Sequence, residues 1–242
     1  MSLRSLQRNW QLFGSTDPFW AIITDPLKKG NRWDVDEFFR TGVDEAASIL
    51  ALVEAVRPLP EKLRALDFGC GAGRITQALG AHFAEILGVD IAPSMIALAE
   101  RHNRLGDRCR YLLNTEPDLR IFPDRHFDLI YSVITLQHMP PHLARGYLKE
   151  FLRVLRPEGA LLFQVPARLK NPPTLVGRAW AEAYRTWLSV SRSDVPHMDM
   201  FGIEKEAVLE YLGVLGARVL SVTPDQRAGP AWESYTYVVI TA

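Results

Sequence analysis

Glycines stand in alternate positions directly after a short apolar run, in the stretch DFGCGAGR that extends from Asp67 to Arg74. Glycine lets the backbone adopt a positive φ and approach a ligand closely, and the N–H groups of a following helix can face an anionic group. The dinucleotide fingerprint GxGxxG requires a third glycine where this chain has Arg74. The GxGxG spacing therefore predicts a nucleotide-binding loop of another kind, and the alternative is a plain tight turn.

A carboxylate ends the next apolar run, because Asp90 stands seventeen residues after Gly73. An ionised acid at the carboxyl end of a strand can accept hydrogen bonds from both hydroxyls of a ribose. The alternative is that Asp90 caps the helix that opens at Pro93. Together, the loop and the acid predict a ligand that contains a nucleoside.

The elements that must position these residues alternate between short apolar runs and helical patterns. The predicted strands cover 64–69, 85–90, 109–114, 127–133, 159–165, 217–223 and 233–241. The predicted helices cover 43–56, 73–82, 93–103, 142–155 and 203–215, with Thr41 as the N-cap of the first. This alternation predicts an α/β fold, a doubly wound, seven-stranded, mostly parallel sheet with helices on both faces. A turn-rich stretch joins the last two strands, so the last strand is expected to be antiparallel.

The composition is that of an ordinary globular protein of a reducing compartment. The 242 residues include 28 Lys and Arg against 28 Asp and Glu, so the formal charge is zero. This balance argues against nucleic acid or an anionic membrane as a partner. Two cysteines are too few for a disulfide framework, and no apolar run approaches the roughly 18 residues of a membrane span. We therefore expect a cytoplasmic monomer or homodimer.

The same motifs resemble a known family, the class I S-adenosylmethionine-dependent methyltransferases. The stretch from Asp67 to Gly73 matches the family's DxGxGxG motif, and Asp90 matches its ribose-binding acid. The resemblance is firm over residues 60–165 and weaker from there to residue 242. It implies S-adenosyl-L-methionine as cofactor and S-adenosyl-L-homocysteine as product. The cofactor-binding residues that it implies are Asp67, Gly69, Cys70, Gly71, Gly73, Arg74, Asp90, Ile91, Asn114, Asp118, Leu119, Ser132 and Val133.

The chemistry that this resemblance implies needs little from the protein beyond positioning. The methyl group of a sulfonium is attacked in line by a nucleophile, and a base is needed only when the acceptor must lose a proton. His138 is the predicted base, since neutral imidazole accepts a proton near pH 7. The alternative is a histidine held by hydrogen bonds in the cofactor loop. No metal site is predicted, because prolines separate His138 from His142 and no third ligand is evident.

A single methyltransferase domain, residues 1–242, is predicted in four parts. These are an aromatic N-terminal cap (1–42), a cofactor-binding core (43–165), a substrate-lid insertion (166–202) with a helix over 174–190, and a C-terminal helix and strand pair (203–242). The cap shows no lasting periodicity and is either an arm packed on the domain or a lid over the site. The predicted substrate contacts are Trp33, Phe39, Arg168, Tyr184 and His197.

The insertion is more basic than the chain as a whole. Between Val165 and Ser193, five basic residues stand against one acidic residue. Arginines that point into the cleft would select a carboxylate or phosphate on the acceptor, and the alternative is a solvated helix face. We expect methyl transfer to an oxygen or nitrogen of a small molecule, which would be acidic if these arginines face the cleft. The alternatives are an NAD-dependent oxidoreductase and a catalytically silent S-adenosylmethionine-binding regulatory module.

Overall fold

The computed structural model describes residues 2–172, 174 and 195–241. Within them, seven strands form one sheet. The strands are β1 (Arg64–Phe68), β2 (Glu85–Asp90), β3 (Cys109–Leu113), β4 (Phe127–Ser132), β5 (Leu155–Leu169), β6 (Ala217–Asp225) and β7 (Trp232–Thr241). Their order is β3-β2-β1-β4-β5-β7-β6, and β7 runs antiparallel to both of its neighbours while the pairs among β1 to β5 are parallel. The predicted sheet is therefore confirmed.

Helices cover both faces of this sheet, as predicted. They are α1 (Leu3–Thr16), α2 (Pro18–Ile22), α3 (Val35–Val56), α4 (Arg74–Gly80), α5 (Pro93–Arg101), α6 (Pro141–Val154) and α7 (Lys205–Val214). Residues of α1, α6 and α7 belong to the core on one face, and residues of α3, α4 and α5 belong to the core on the other. The central strands are buried almost throughout, as expected for parallel strands covered on both sides.

The N-terminal segment is helical, which the prediction missed. Ser2 caps α1 and exchanges hydrogen bonds with Ser5 in a capping box. The helix α3 also begins earlier than predicted, because Asp34 rather than Thr41 is its N-cap and accepts a hydrogen bond from the backbone N–H of Glu37. Thr41 lies inside the helix, where its hydroxyl donates to the carbonyl of Phe38. Acidic residues in the first turn favour this start, since they face the positive end of the helix dipole.

The strand β5 is longer than predicted, so the insertion begins after Leu169 rather than at Pro166. Pairing with β7 continues past Pro166 across a register irregularity. The chain returns at Ile203, whose N–H donates to the carbonyl of Pro166. The predicted helix over 174–190 lies outside the described residues. In the described part of the chain, no helix has the length and apolar character needed to cross a membrane.

Candidate active site

The glycine loop between β1 and α4 is shaped by positive φ angles and by close packing. Gly69, Gly71 and Gly73 have φ values of 80°, 52° and 81°, a region that disfavours other residues. A Cβ on Gly69 would lie 2.2 Å from the hydroxyl oxygen of Thr135, in the loop after β4. A Cβ on Gly73 would lie 2.3 Å from the hydroxyl oxygen of Tyr111. The loop therefore needs glycine both for its backbone and for its neighbours.

The carboxylate of Asp90 ties the glycine loop to the end of β2. It accepts the backbone N–H of Gly71 and the backbone N–H of Ala92, each at 2.9 Å. Burial raises the pKa of Asp90, and these backbone hydrogen bonds oppose the rise. The N-cap of α5 is Ala92, so Asp90 does not cap that helix. Asp90 also lines the cavity described below, where its remaining lone pairs can accept hydroxyl groups.

A second carboxylate, Asp67, is buried at the end of β1. The hydroxyl of Thr76 on α4 donates to it at 2.6 Å. Burial raises the pKa of Asp67 to about 7, although the Thr76 hydrogen bond and the charge of Arg74 lower it. This carboxyl group is therefore divided between its charged and neutral forms near neutral pH.

A cavity with about 990 Å³ of empty space, part of it open to solvent, lies at the carboxyl ends of β1, β2 and β4. This is where open α/β sheets bind ligands. The predicted site residues that line it are Asp67, Gly69, Cys70, Gly71, Arg74, Asp90, Ile91, Asn114, Val133 and His138. Gly73, Asp118, Leu119 and Ser132 are absent from this lining. Most of the predicted cofactor residues are thus brought together around one space.

Asp118 and Leu119 support the cavity from outside. The carbonyl of Asp118 accepts a hydrogen bond from the side-chain amide of Asn114 at 2.7 Å, and its carboxylate pairs with the exposed Arg120. The N–H of Leu119, another predicted cofactor residue, donates instead to the carboxylate of Glu150 at 2.8 Å. These contacts fix Asn114, the buried amide of this segment that lines the cavity.

The sequence leaves open whether the N-terminal cap is an arm packed on the domain or a lid over the site, and its helices form a wall of the cavity. The lining residues that they supply are Leu3, Leu6, Trp10, Ala21 and Ile22. On α1, the apolar residues Leu3, Leu6, Trp10 and Phe13 recur at helical spacing, which is the signal that could have revealed this face. The cap therefore borders the site through α1 and α2.

The aromatic residues predicted to contact the substrate from this cap lie elsewhere. Trp33 donates from its ring N–H to the carbonyl of Ile23 at 3.3 Å, and its ring packs against Phe38. Phe39 packs against Phe38 and His102. Neither Trp33 nor Phe39 lines the cavity, because the early start of α3 carries both rings into this aromatic cluster. The prediction that they contact the substrate is not supported by this arrangement.

A partly buried group of charges that was not predicted stands beside the cavity. Glu45 on α3 accepts hydrogen bonds from Arg74 at 2.6 Å, from Arg227 at 2.9 Å and from the hydroxyl of Tyr131 at 2.9 Å. Burial alone would raise the pKa of Glu45, but the charge and hydrogen bond of Arg74, helped by Arg227, hold it below its usual value. Arg74, predicted to contact the cofactor or an acidic acceptor, is thus ion-paired while it lines the cavity.

The remaining predicted substrate residues divide between the surface and the N-terminal wall. Arg168 is exposed and pairs with Glu233, its register partner on β7, at 2.9 Å. It does not line the cavity, because it belongs to the extended strand β5 rather than to a loop over the site. His197 exchanges backbone hydrogen bonds with the side-chain amide of Asn9 on α1 and lines a smaller space beside His138. Tyr184 lies outside the described residues.

His138 is buried in the turn after β4, and both of its ring nitrogens have partners. Nδ1 lies 2.8 Å from the carbonyl oxygen of Asp199, and Nε2 lies 3.1 Å from the side-chain nitrogen of Gln137. The edge of the ring meets Trp10 at a centroid separation of 5.0 Å. Burial lowers the pKa of His138 to about 4. The imidazole is therefore neutral at pH 7, and a weaker base than a free histidine.

Comparisons with known proteins agree with this geometry. A family model described as a methyltransferase domain matches residues 65–159. A trans-aconitate 2-methyltransferase of Streptomyces avermitilis is 31% identical over 191 residues, which are 76% of this chain and 68% of that protein. A protein of the same name from Methylobacterium nodulans is 32% identical over 146 residues, which are 58% of this chain and 52% of that protein.

A solved structure shares the fold over almost the whole chain. The magnesium protoporphyrin IX methyltransferase of Synechocystis, with S-adenosylhomocysteine bound, has a TM-score of 0.60 and 15% identity over 93% of each chain. The residues here suit the same cofactor, because the buried carboxylate of Asp90 and the close-packed glycine loop border one cavity. S-adenosylmethionine is the cofactor, and it supplies the methyl group when bound. The chain belongs to the class I S-adenosylmethionine-dependent methyltransferases.

Proposed function

We propose that this methyltransferase transfers the methyl group to a carboxylate oxygen of a small acidic acceptor. The observation that carries the proposal is the state of His138, whose two nitrogens are hydrogen-bonded and whose pKa is lowered to about 4 by burial. An alcohol or an ammonium group must lose a proton when it is methylated, whereas a carboxylate is already ionised at pH 7. A site whose histidine is a weak base suits an acceptor that needs no general base.

Two further observations support an acidic acceptor. The curated relatives reported above are named trans-aconitate 2-methyltransferases, and trans-aconitate is a small molecule with carboxylate groups. Arg74 brings a guanidinium to the cavity wall, where it can attract an anion. The predicted role of His138 as a general base is replaced in this proposal. We also propose a small-molecule substrate rather than a nucleic acid, in line with the zero formal charge.

The proposed reaction is balanced without a proton transfer. A carboxylate oxygen attacks the methyl carbon of the sulfonium in line with the carbon–sulfur bond. The new carbon–oxygen bond forms as the carbon–sulfur bond breaks, and the electron pair of that bond stays on sulfur as a neutral thioether. The protein supplies orientation and exclusion of water, and residues of α1 and α2 form part of the cavity wall, with Ile22 packed against Gly71 of the glycine loop.

The test is methyl transfer from labelled S-adenosylmethionine to trans-aconitate, with its uncharged trimethyl ester as the matched control. We expect label on the acid and none on the ester, and the product should release labelled methanol in alkali, as a methyl ester does. Label that is stable in alkali on an alcohol or amine acceptor would contradict the proposal. Cofactor binding without transfer to any acid or extract would favour the silent regulatory module.

The nicotinamide-dependent alternative is disfavoured by the family membership and by the loop. Arg74 occupies the place of the third glycine of the dinucleotide fingerprint. Its buried side chain is packed against Gly42 and ion-paired with Glu45. We expect S-adenosylhomocysteine, and not NAD, to raise the melting temperature of the protein.

A further inference from the structure

A chain of buried amides connects the end of β4 with His138, and each link has a defined donor. Ile134, which has a positive φ of 57°, donates its backbone N–H to the side-chain oxygen of Gln164 at 3.0 Å. A backbone N–H can only donate, so this contact fixes the orientation of the Gln164 amide. The side-chain nitrogen of Gln164 then donates to the side-chain oxygen of Gln137 at 3.2 Å and to the hydroxyl oxygen of Ser234 at 2.7 Å.

The same logic fixes the proton on His138. Because the oxygen of Gln137 accepts from Gln164, its nitrogen faces Nε2 of His138 and must donate to it. At the other end, a backbone carbonyl can only accept, so the carbonyl of Asp199 takes the proton of Nδ1. The two ends of the chain independently require the same form, with a proton on Nδ1 and a lone pair on Nε2. Gln137, His138 and Gln164 are all buried, so no water replaces these partners freely.

We propose that Gln137 and Gln164 are positioning residues that keep His138 neutral beside the sulfonium of S-adenosylmethionine. His138 and the glycine loop line one cavity, so an imidazolium there would repel the positive sulfur of the cofactor. A proton can be added to His138 only at Nε2, and this atom faces an amide N–H that would have to turn away. The inference rests on the cofactor of the family and is independent of the proposed carboxylate acceptor.

The groups that face His138 from neighbouring elements do not overcome the effect of burial, which disfavours protonation of the ring. From α1 come Trp10 and Asn9, which are uncharged, and from the segment after the insertion come His197 and Asp199. The negative charge of Asp199 favours the protonated ring, but burial outweighs it. Replacing the Gln137 amide by a carboxylate would reverse this balance, because a carboxylate beside Nε2 accepts a proton from the ring and stabilises the imidazolium.

The decisive variant is therefore Gln137→Glu. Calorimetry from pH 8 to pH 5.5 measures the ratio of its affinity for S-adenosylmethionine to its affinity for S-adenosylhomocysteine. The two ligands share their amino and carboxyl groups and differ in the methyl group on sulfur and the charge that it brings, so the change of the ratio with pH isolates the effect of that charge. We expect the ratio to stay within about twofold in the parent protein. In the variant it should fall about tenfold on acidification, because an imidazolium and a sulfonium that share one cavity repel each other.

The matched control is the double variant Gln137→Glu with His138→Gln, in which the ratio should no longer depend on pH. A flat ratio in the single variant would overturn the proposal. A second measurement needs no variant and no ligand: nitrogen-15 spectra of the histidines should show His138 with a proton on Nδ1 alone at every pH in this range. A proton on Nε2, or titration of His138 between pH 5.5 and pH 8, would also overturn it. Failure of both ligands to bind would instead count against the cofactor site, while the spectra would still report on the ring.

Discussion

The two walls of the cavity are built from different kinds of sequence. The cofactor wall consists of the glycine loop, Asp67 and Asp90, and its parts follow one another along β1, α4 and β2. The helical wall consists of α1 and α2, which meet His138 and the segment around His197 only in the folded chain. The first wall is set by backbone conformation and local order, and the second by long-range packing. The first wall can therefore be recognised in a sequence motif, and the second cannot.

The largest expected effect comes from breaking the cofactor wall with Asp90→Ala. This change removes the acceptor of the Gly71 and Ala92 N–H groups and a cavity-lining carboxylate that we propose as the acceptor for the ribose hydroxyls. We expect a loss of about 1,000-fold in S-adenosylhomocysteine affinity, because each lost charged hydrogen bond costs about 1.5 to 3 kcal/mol. Calorimetric titration measures it. Asp107→Ala, at an exposed site away from the loop, should bind normally, and an equal loss there would show that the effect is not local.

The next effect tests whether the glycine loop is fixed by its neighbours. Gly69→Ala places a methyl group 2.2 Å from the Thr135 hydroxyl oxygen at a φ of 80°. We expect the free energy of unfolding to fall by about 3 kcal/mol, from strain and overpacking. Gly146→Ala, in α6 where a Cβ meets nothing within 4 Å, should instead raise it by about 0.5 to 1 kcal/mol. Urea denaturation compares the two, and equal effects would refute the close-packed loop.

The third prediction compares two buried titratable groups, Asp67 of the cofactor wall and His138, which the helical wall contacts. The pKa of Asp67 is raised to about 7, so its contribution to stability is present at low pH and is lost as pH rises toward 7. The pKa of His138 is lowered to about 4, so its contribution is present above its unfolded pKa, near 6.5, and is lost as pH falls toward 4. The two groups therefore contribute slopes of opposite sign to the dependence of the unfolding free energy on pH.

Variants of each residue separate these two slopes. Relative to the parent protein, Asp67→Asn should make the unfolding free energy rise more with pH between pH 4.5 and pH 6.5, and His138→Gln should make it fall more. Each slope should change by at most about 1.4 kcal/mol per pH unit, the value for one proton. Denaturation at several pH values gives both slopes. Changes of the same sign in the two variants would contradict the opposite pKa shifts.

The smallest expected effect concerns the helical wall. Trp10→Phe removes contact area from the cavity lining and from the ring of His138. We expect the KM for the acceptor to rise about fivefold, in proportion to the apolar area lost, while the affinity for S-adenosylhomocysteine changes by less than twofold. Steady-state kinetics with calorimetry measures this split. Equal losses in both quantities would mean that α1 serves the cofactor as much as the acceptor.

The sequence carried enough information for the sheet and for the cofactor wall. The alternation of apolar runs and helices gave the seven strands, and the short turn-rich connection gave the antiparallel β7, since these features are local. The motif from Asp67 to Gly73 and the acid at position 90 predicted the nucleotide-binding loop. Their contacts to each other, such as the Gly71 N–H on Asp90, follow from adjacent parallel strands.

The rest depended on contacts between distant residues. Glu45 looks like a solvated acid on a helix, yet its partners Arg74 and Arg227 are 29 and 182 residues away. The charge of its segment predicts that Arg168 contacts the substrate, but a charge count does not show which way a side chain points. Arg168 instead pairs with its register partner Glu233 at the surface. The apolar spacing of α1 was hidden by the richness of the segment in aromatic residues and by its Asp-Pro pairs.

The link between Asn9 and His197 has a consequence for how the protein is made. The helix α1 precedes the sheet in the chain, but the backbone groups that hold its Asn9 side chain lie 188 residues later. During synthesis, the sheet strands β1 to β5 and the glycine loop emerge before this partner does. The helix α1 can therefore pack against α5, through Gln11 and Ser94, before its link to His197 forms, and the wall of the site around His138 is completed after the glycine loop.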